Sequence, residues 1–195
     1  MDSNRALIGS GLVTFVLAAA PAGLFAGTRA AVANSARARQ TTIEGWPERS
    51  RALTYALVEE YGLPGRLNEF AVVWYGNGPW RRTVVHRDSW SPVLGIRDHD
   101  NLEQTIVYRV PPKKLRSLKK FGKRLEFDAA AGELSVRSSS EGLNYMALNL
   151  ANDIINETRT VGDARDFYRK TEELSKTGKS SPYLEGIMFE VNAVR

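Results

Sequence analysis

Two histidines raise the question of chemistry first, because imidazole is the side chain that most often moves protons near neutral pH. His86 is followed two residues on by Asp88, and His99 sits between Asp98 and Asp100. If the stretch between them folds back over the preceding strand, two imidazoles and several aspartates converge. Such a set suits a metal ion, zinc first. This defines a hydrolase-like, metal-assisted enzyme as one reading, with His86, His99, Asp98 and Asp100 as its candidate catalytic residues. Nothing in the spacing demands it. There is no H-E-x-x-H and no helical i, i+4 pair of ligands. Loop histidines beside aspartates are commonly just solvated polar residues, so neither metal nor cofactor is assigned. His86-Arg87-Asp88 spells a kinase catalytic-loop tripeptide, but no Gly-rich loop, paired lysine or D-F-G accompanies it. G-x-S-x-G, P-loop and G-x-G-x-x-G patterns are also missing. With no cysteine in the chain, disulfides, thiolate metal sites and cysteine nucleophiles are excluded.

Binding chemistry is better represented. Between Trp80 and Arg87, alternation puts Trp80, Arg82, Val84 and His86 on one face of a strand, and Arg81, Thr83, Val85 and Arg87 on the other. Arginine on both faces means the strand is not buried on both sides. With Trp74 and Tyr75 across a hairpin, Trp74, Trp80 and Arg82 form a candidate surface for planar or anionic ligands, through stacking and forked hydrogen bonds. The plainer alternative is that arginine stems simply cover the indole rings. A second candidate is the basic run Lys113, Lys114, Arg116, Lys119, Lys120, Lys123 and Arg124, which no acidic residue interrupts. On a helix with Leu115 and Leu118 inward, its charges splay outward. They suit an anionic ligand, an envelope polymer or a membrane surface, or else form an ordinary solvated helix face. Phe121 is the one interleaved aromatic residue, which argues against single-strand stacking. The reading is not that of a sequence-specific nucleic-acid binder.

These groups need elements to position them. Pro47 opens a helix that Gly62 and Pro64 close, with Leu53, Ala56, Leu57 and Tyr61 as its buried stripe. Phe70–Tyr75 and Trp80–Arg87 read as strands joined by the turn Gly76-Asn77-Gly78-Pro79. Gln104–Val110 is a third strand. Lys113–Phe121 is a short helix. Arg124–Asp128 and Glu133–Arg137 are two more strands. Ser138 with Glu141 reads as a capping box for the clearest helix in the chain, striped by Leu143, Met146, Ala147, Leu150, Ala151 and Ile154. Thr160 with Asp163 caps another, which Gly178 ends. Gly186–Val191 reads as a last strand. Hairpins mixed with runs of helices give an α+β fold: a single, mainly antiparallel sheet with helices packed on one face.

The front of the chain carries a different kind of information. Ala6 to Ala26 is apolar and uncharged, and Ala31-Val32-Ala33 follows as an A-x-A site. That is the pattern of a secretory signal over residues 1–33. The apolar run also approaches the roughly 20 residues that span a bilayer, so a membrane anchor formed by residues 6–26 is the alternative. A third possibility is a transit peptide, since Ser3 to Ile43 contains no acidic residue. Residues 34–45 read as a flexible tether and 46–195 as one α+β domain. The net charge of +5 is mild and unevenly placed.

The stretches Asn77-Gly78-Pro79-Trp80-Arg81-Arg82, His99-Asp100-Asn101-Leu102-Glu103-Gln104, Tyr108-Arg109-Val110-Pro111 and Tyr145 to Ile155 resemble those of a family of uncharacterised, exported bacterial proteins. The resemblance spans roughly Trp46 to Tyr168. It implies bacterial origin, and no activity, cofactor or catalytic residue. Together these observations give the expectation of an exported or envelope-associated binding module, using either the Arg/Trp sheet face or the basic helix.

Overall fold

Alternating strands and two strongly striped helices assemble into one antiparallel sheet with helices against it. The computed structural model describes residues 43–88, 100–122 and 124–191. All lie in the unit Arg39–Arg195, and the unit Met1–Ala38 lies outside them. The signal or anchor and most of the tether therefore fall beyond the described residues, as do Asp98, His99 and Lys123. Among the described residues no helix is long and apolar enough to cross a membrane.

In chain order the elements are α1 (Glu48–Tyr61), β1 (Arg66–Leu67), β2 (Ala71–Asn77), β3 (Trp80–His86) and β4 (Leu102–Val107). Then come a 3-10 turn (Pro112–Lys114), α2 (Leu115–Phe121), β5 (Leu125–Asp128), β6 (Glu133–Ser138), α3 (Glu141–Ile155), α4 (Val161–Ser175) and the short α5 (Pro182–Glu185). The sheet order is β1-β2-β3-β4-β6-β5, and every neighbouring pair is antiparallel.

The register decides which side is covered. Trp74, Thr83, Gln104, Val136 and Leu125 lie in one row across five strands. With Val72, Val85 and Leu102 they form the face on which the helices pack. α3 brings Met146, Leu150 and Ile154 to a core with Ile106, Leu134 and Val136. α1 brings Leu57 to a second cluster with Val72, Trp74 and Val85. The opposite face carries Tyr75, Arg82, Thr105, Ser135 and Glu126 in the matching row.

Several local expectations change. Ile43, placed in the tether by its sequence surroundings, is 4% exposed and packs with Trp46 in the second cluster. Ala56 is exposed, and the buried side of α1 runs through Ser50, Thr54 and Leu57. Two hydroxyls are tolerated there because each returns its hydrogen to the helix backbone, Ser50 to Pro47 O and Thr54 to Ser50 O. The N-cap of α3 is Ser140, whose Oγ accepts from Leu143 N. Glu141 is thereby the first helical residue and free for another role. Thr160 caps α4 as expected, accepting from Asp163 N. Among the described residues no strand follows α5, where one was expected over Gly186–Val191. Ile187, Phe189 and Val191 pack on the core from an irregular segment.

Candidate functional site

The basic helix is the clearest candidate surface. Pro112 stands at its first turn, where a missing N–H costs nothing. Gly122 ends it in the left-handed region at φ 77, and its N–H reaches Leu118 O at 2.9 Å. Leu118 and Phe121 are buried, which turns Lys113, Arg116, Lys119 and Lys120 outward, all exposed. Lys114 differs from the rest. It is drawn onto Glu157 at 2.5 Å, and its side chain is largely covered. That hydrogen bond, with the charges of Lys114 and Lys113, holds the Glu157 carboxyl below its usual range. From α4, Arg165 donates to the carbonyls of Lys120 and Phe121. A cation at this end of α2 complements the helix dipole.

The Arg/Trp face is rearranged. Trp74 and Trp80 are 3% and 0% exposed, and neither ring is open to a ligand. Trp74 Nε1 donates to Gly62 O at 2.9 Å. Trp80 stacks on Tyr145 with ring centroids 5.0 Å apart. The reason lies in the hairpin. Gly76 at φ 63 breaks the alternation of β2, and Asn77, whose amide reaches Thr83 Oγ1, and Trp80 turn to the helix side. Arg82 stays on the open face, 3.7 Å from Glu133. The expected sharing of one face by Trp80 and Arg82 is therefore replaced by opposite placements.

The histidine constellation is only partly within the described residues. His86 Nε2 lies 2.9 Å from Glu103 Oε2 on the open face. Burial works against the charged form of Glu103, but the hydrogen bond and charge of His86, with Arg137 and Arg82, outweigh it and lower its pKa. Asp88 pairs with Arg87. Asp100 is buried and ion-paired with Arg124. Arg137 donates to both Asp88 O and Asp100 O. The two carboxylates are thus paired with Arg87 and Arg124, and it is the backbone carbonyls of Asp88 and Asp100 that Arg137 holds. No group of three or more potential metal ligands occurs among the described residues. Asp98 and His99 lie outside them.

A polar cluster that sequence reasoning missed sits where α1, α3 and the sheet meet. Glu141 Oε1 accepts from Tyr61 OH, from Trp80 Nε1 at 2.5 Å, from Gln104 Nε2 at 3.0 Å and from Tyr145 OH at 3.1 Å. Gln104 in turn accepts from Asn144 at 2.9 Å. Burial first, and then the Glu141 carboxylate, push the Tyr61 and Tyr145 hydroxyls far above 10.0. Glu60 is also pushed up, by burial and by the charge of Glu141. Hydroxyls with raised pKa make poor acids. The arrangement is a clasp. The signal for it was Glu141 itself, read as a capping residue.

No protein family model, curated protein or solved structure matches the chain.

Proposed function

We propose that this protein is an exported or envelope-associated binding module of bacterial origin that holds an anionic polymer or surface through α2 and the turn before it. The observation that carries this reading is the outward projection of Lys113 from the 3-10 turn and of Arg116, Lys119 and Lys120 from α2. No acidic residue lies between Glu103 and Glu126 in the sequence. Several like charges on a rigid support bind a polyanion by displacing its counterions, with little demand on its sequence or shape. The apolar run Ala6–Ala26 supports the extracytoplasmic part of the proposal.

The test is binding of the protein to dextran sulfate across a salt series. Affinity falls steeply with salt, and replacing Lys113, Arg116, Lys119 and Lys120 together by glutamine lowers it by about tenfold or more at low salt. Absence of binding at low salt, or binding indifferent to salt, overturns the proposal.

A further inference from the structure

On the open face of the sheet, away from the basic helix, a cleft of about 350 Å³ is lined by Tyr75, Gly76, Arg81, Arg82 and Glu133. Tyr75 is 59% exposed. Gly65 lies directly against it, close enough that a Cβ there would sit 3.0 Å from Tyr75 Cδ2, so the ring rests on backbone with its outer side open. Gly76, at φ 63, adds no side chain to the cleft floor. Arg81 and Arg82 both approach Glu133, each at 3.7 Å. That is well beyond the ~2.7–2.9 Å of a charge-assisted hydrogen bond. Arg82 spends one further donor on Thr105 Oγ1 at 3.3 Å. Among the described residues no hydrogen bond holds the Arg81 guanidinium, whose side chain is 45% exposed.

Both guanidinium groups thus face Glu133 without closing on it, the Arg82 charge is shared with Glu103, and the Arg81 guanidinium stays exposed beside an accessible aromatic ring. We propose that this cleft binds a small planar ring bearing a carboxylate, with the ring on Tyr75 and the carboxylate in the fork of Arg81. The forked geometry matches a carboxylate in two parallel hydrogen bonds. Aromatic stacking on Tyr75 supplies the apolar part. The volume suits a single ring, at the lower end of small-molecule sites. Sequence reading placed the ligand on Trp74 and Trp80. The structure assigns the aromatic role to Tyr75, because the indoles are turned inward.

The experiment is a calorimetric and NMR titration of the full chain with benzoate, cyclohexanecarboxylate and benzamide. Benzoate binds saturably. Cyclohexanecarboxylate, which keeps the charge and loses the planarity, and benzamide, which does the reverse, each bind about tenfold more weakly. Arg81→Gln and Tyr75→Ser, both at exposed positions, weaken benzoate by about tenfold with unchanged melting temperature. The glutamine variant of the basic helix binds benzoate normally, which separates this site from the proposed polyanion surface. Absence of saturation by benzoate, equal affinity for all three probes, or unaltered binding in both variants overturns the assignment.

Discussion

Trp80 and Glu141 meet end-on, with the indole N–H donating to the carboxylate at 2.5 Å. Trp80 starts β3 and Glu141 starts α3, so one bond ties the hairpin to the central helix. The same oxygen takes donors from Tyr61 of α1 and Gln104 of β4. Tyr61 packs against both hydrophobic clusters, so the clasp joins them. Truncating Glu141 to alanine leaves Trp80 and Gln104, both 0% exposed, with buried donors and no acceptor. The expected loss is about 3 kcal/mol or more, since hydrogen bonds to a charged group and the desolvation of orphaned donors both count. Glu141→Gln keeps an acceptor oxygen but not the charge, and costs less. Urea denaturation measures both. A Glu141→Ala variant within about 0.5 kcal/mol of the parent would show that the clasp contributes no stability.

The same cluster makes the fold sensitive to alkali. Burial and Glu141 raise the pKa values of Tyr61 and Tyr145 above the ordinary 10.0. In the unfolded chain both hydroxyls ionise near 10, while in the folded protein they stay protonated. Above that pH the unfolded state binds fewer protons, so stability falls as pH rises. Below about pH 10 the contribution is fully present. The melting temperature should therefore drop steeply between about pH 10 and 12. A Tyr61→Phe, Tyr145→Phe double variant is less stable at neutral pH but flatter across that window. Parallel pH curves for parent and double variant would contradict this.

Much of the fold was legible because its signals are local. The stripe from Leu143 to Ile154 marks α3, and alternation marks the strands through Val72, Val85 and Ile106. The features that were missed depend on partners distant in sequence or on a single dihedral angle. One left-handed glycine, Gly76, reverses the side of Trp80, and no periodicity records that. Ser138 and Ser140 both offer capping oxygens, and packing of Glu141 against Trp80 and Tyr61 selects Ser140. The tail Ile187–Val191 alternates like a strand, yet it pairs with none among the described residues and is held by Asn149 and Tyr108 instead. The basic helix was visible because its charge is contiguous in sequence. The Tyr75–Arg81 cleft was not, because Glu133 joins it from β6.

Acid acts through a different pair. Glu103 has its pKa lowered from 4.5 despite burial, because His86, Arg137 and Arg82 favour its charged form. Its contribution is present above the unfolded value and is lost as pH falls through the folded one. The melting temperature should decline from about pH 4.5 downward. Glu103→Gln removes this titration. It should lower stability at neutral pH and show a smaller further decline toward pH 3. Equal acid sensitivity in the two proteins would place the acid response elsewhere.

The last prediction concerns the segment after α5. Asn149, on α3 and 2% exposed, donates from Nδ2 to Gly186 O at 2.8 Å and to Tyr183 O at 3.3 Å, and its Oδ1 accepts from Met188 N at 2.8 Å. One side chain thus satisfies a carbonyl of α5 and two backbone groups of the irregular segment that follows it. Packing adds to this, with Phe189 edge-on to Tyr108 at 5.2 Å. Replacing Asn149 by alanine leaves those groups orphaned, at a cost of about 1–3 kcal/mol. The effect should be local, because the segment ends the described chain while α3 remains packed on the sheet. Limited proteolysis should cleave near Met188 faster in Asn149→Ala, with the remaining fragment keeping the sheet and helices. Asn149→Asp should be worse than alanine, since it sets a buried charge against two carbonyl oxygens. Cleavage at the parent rate in both variants would mean that the aromatic contact, and not the amide, holds the segment down.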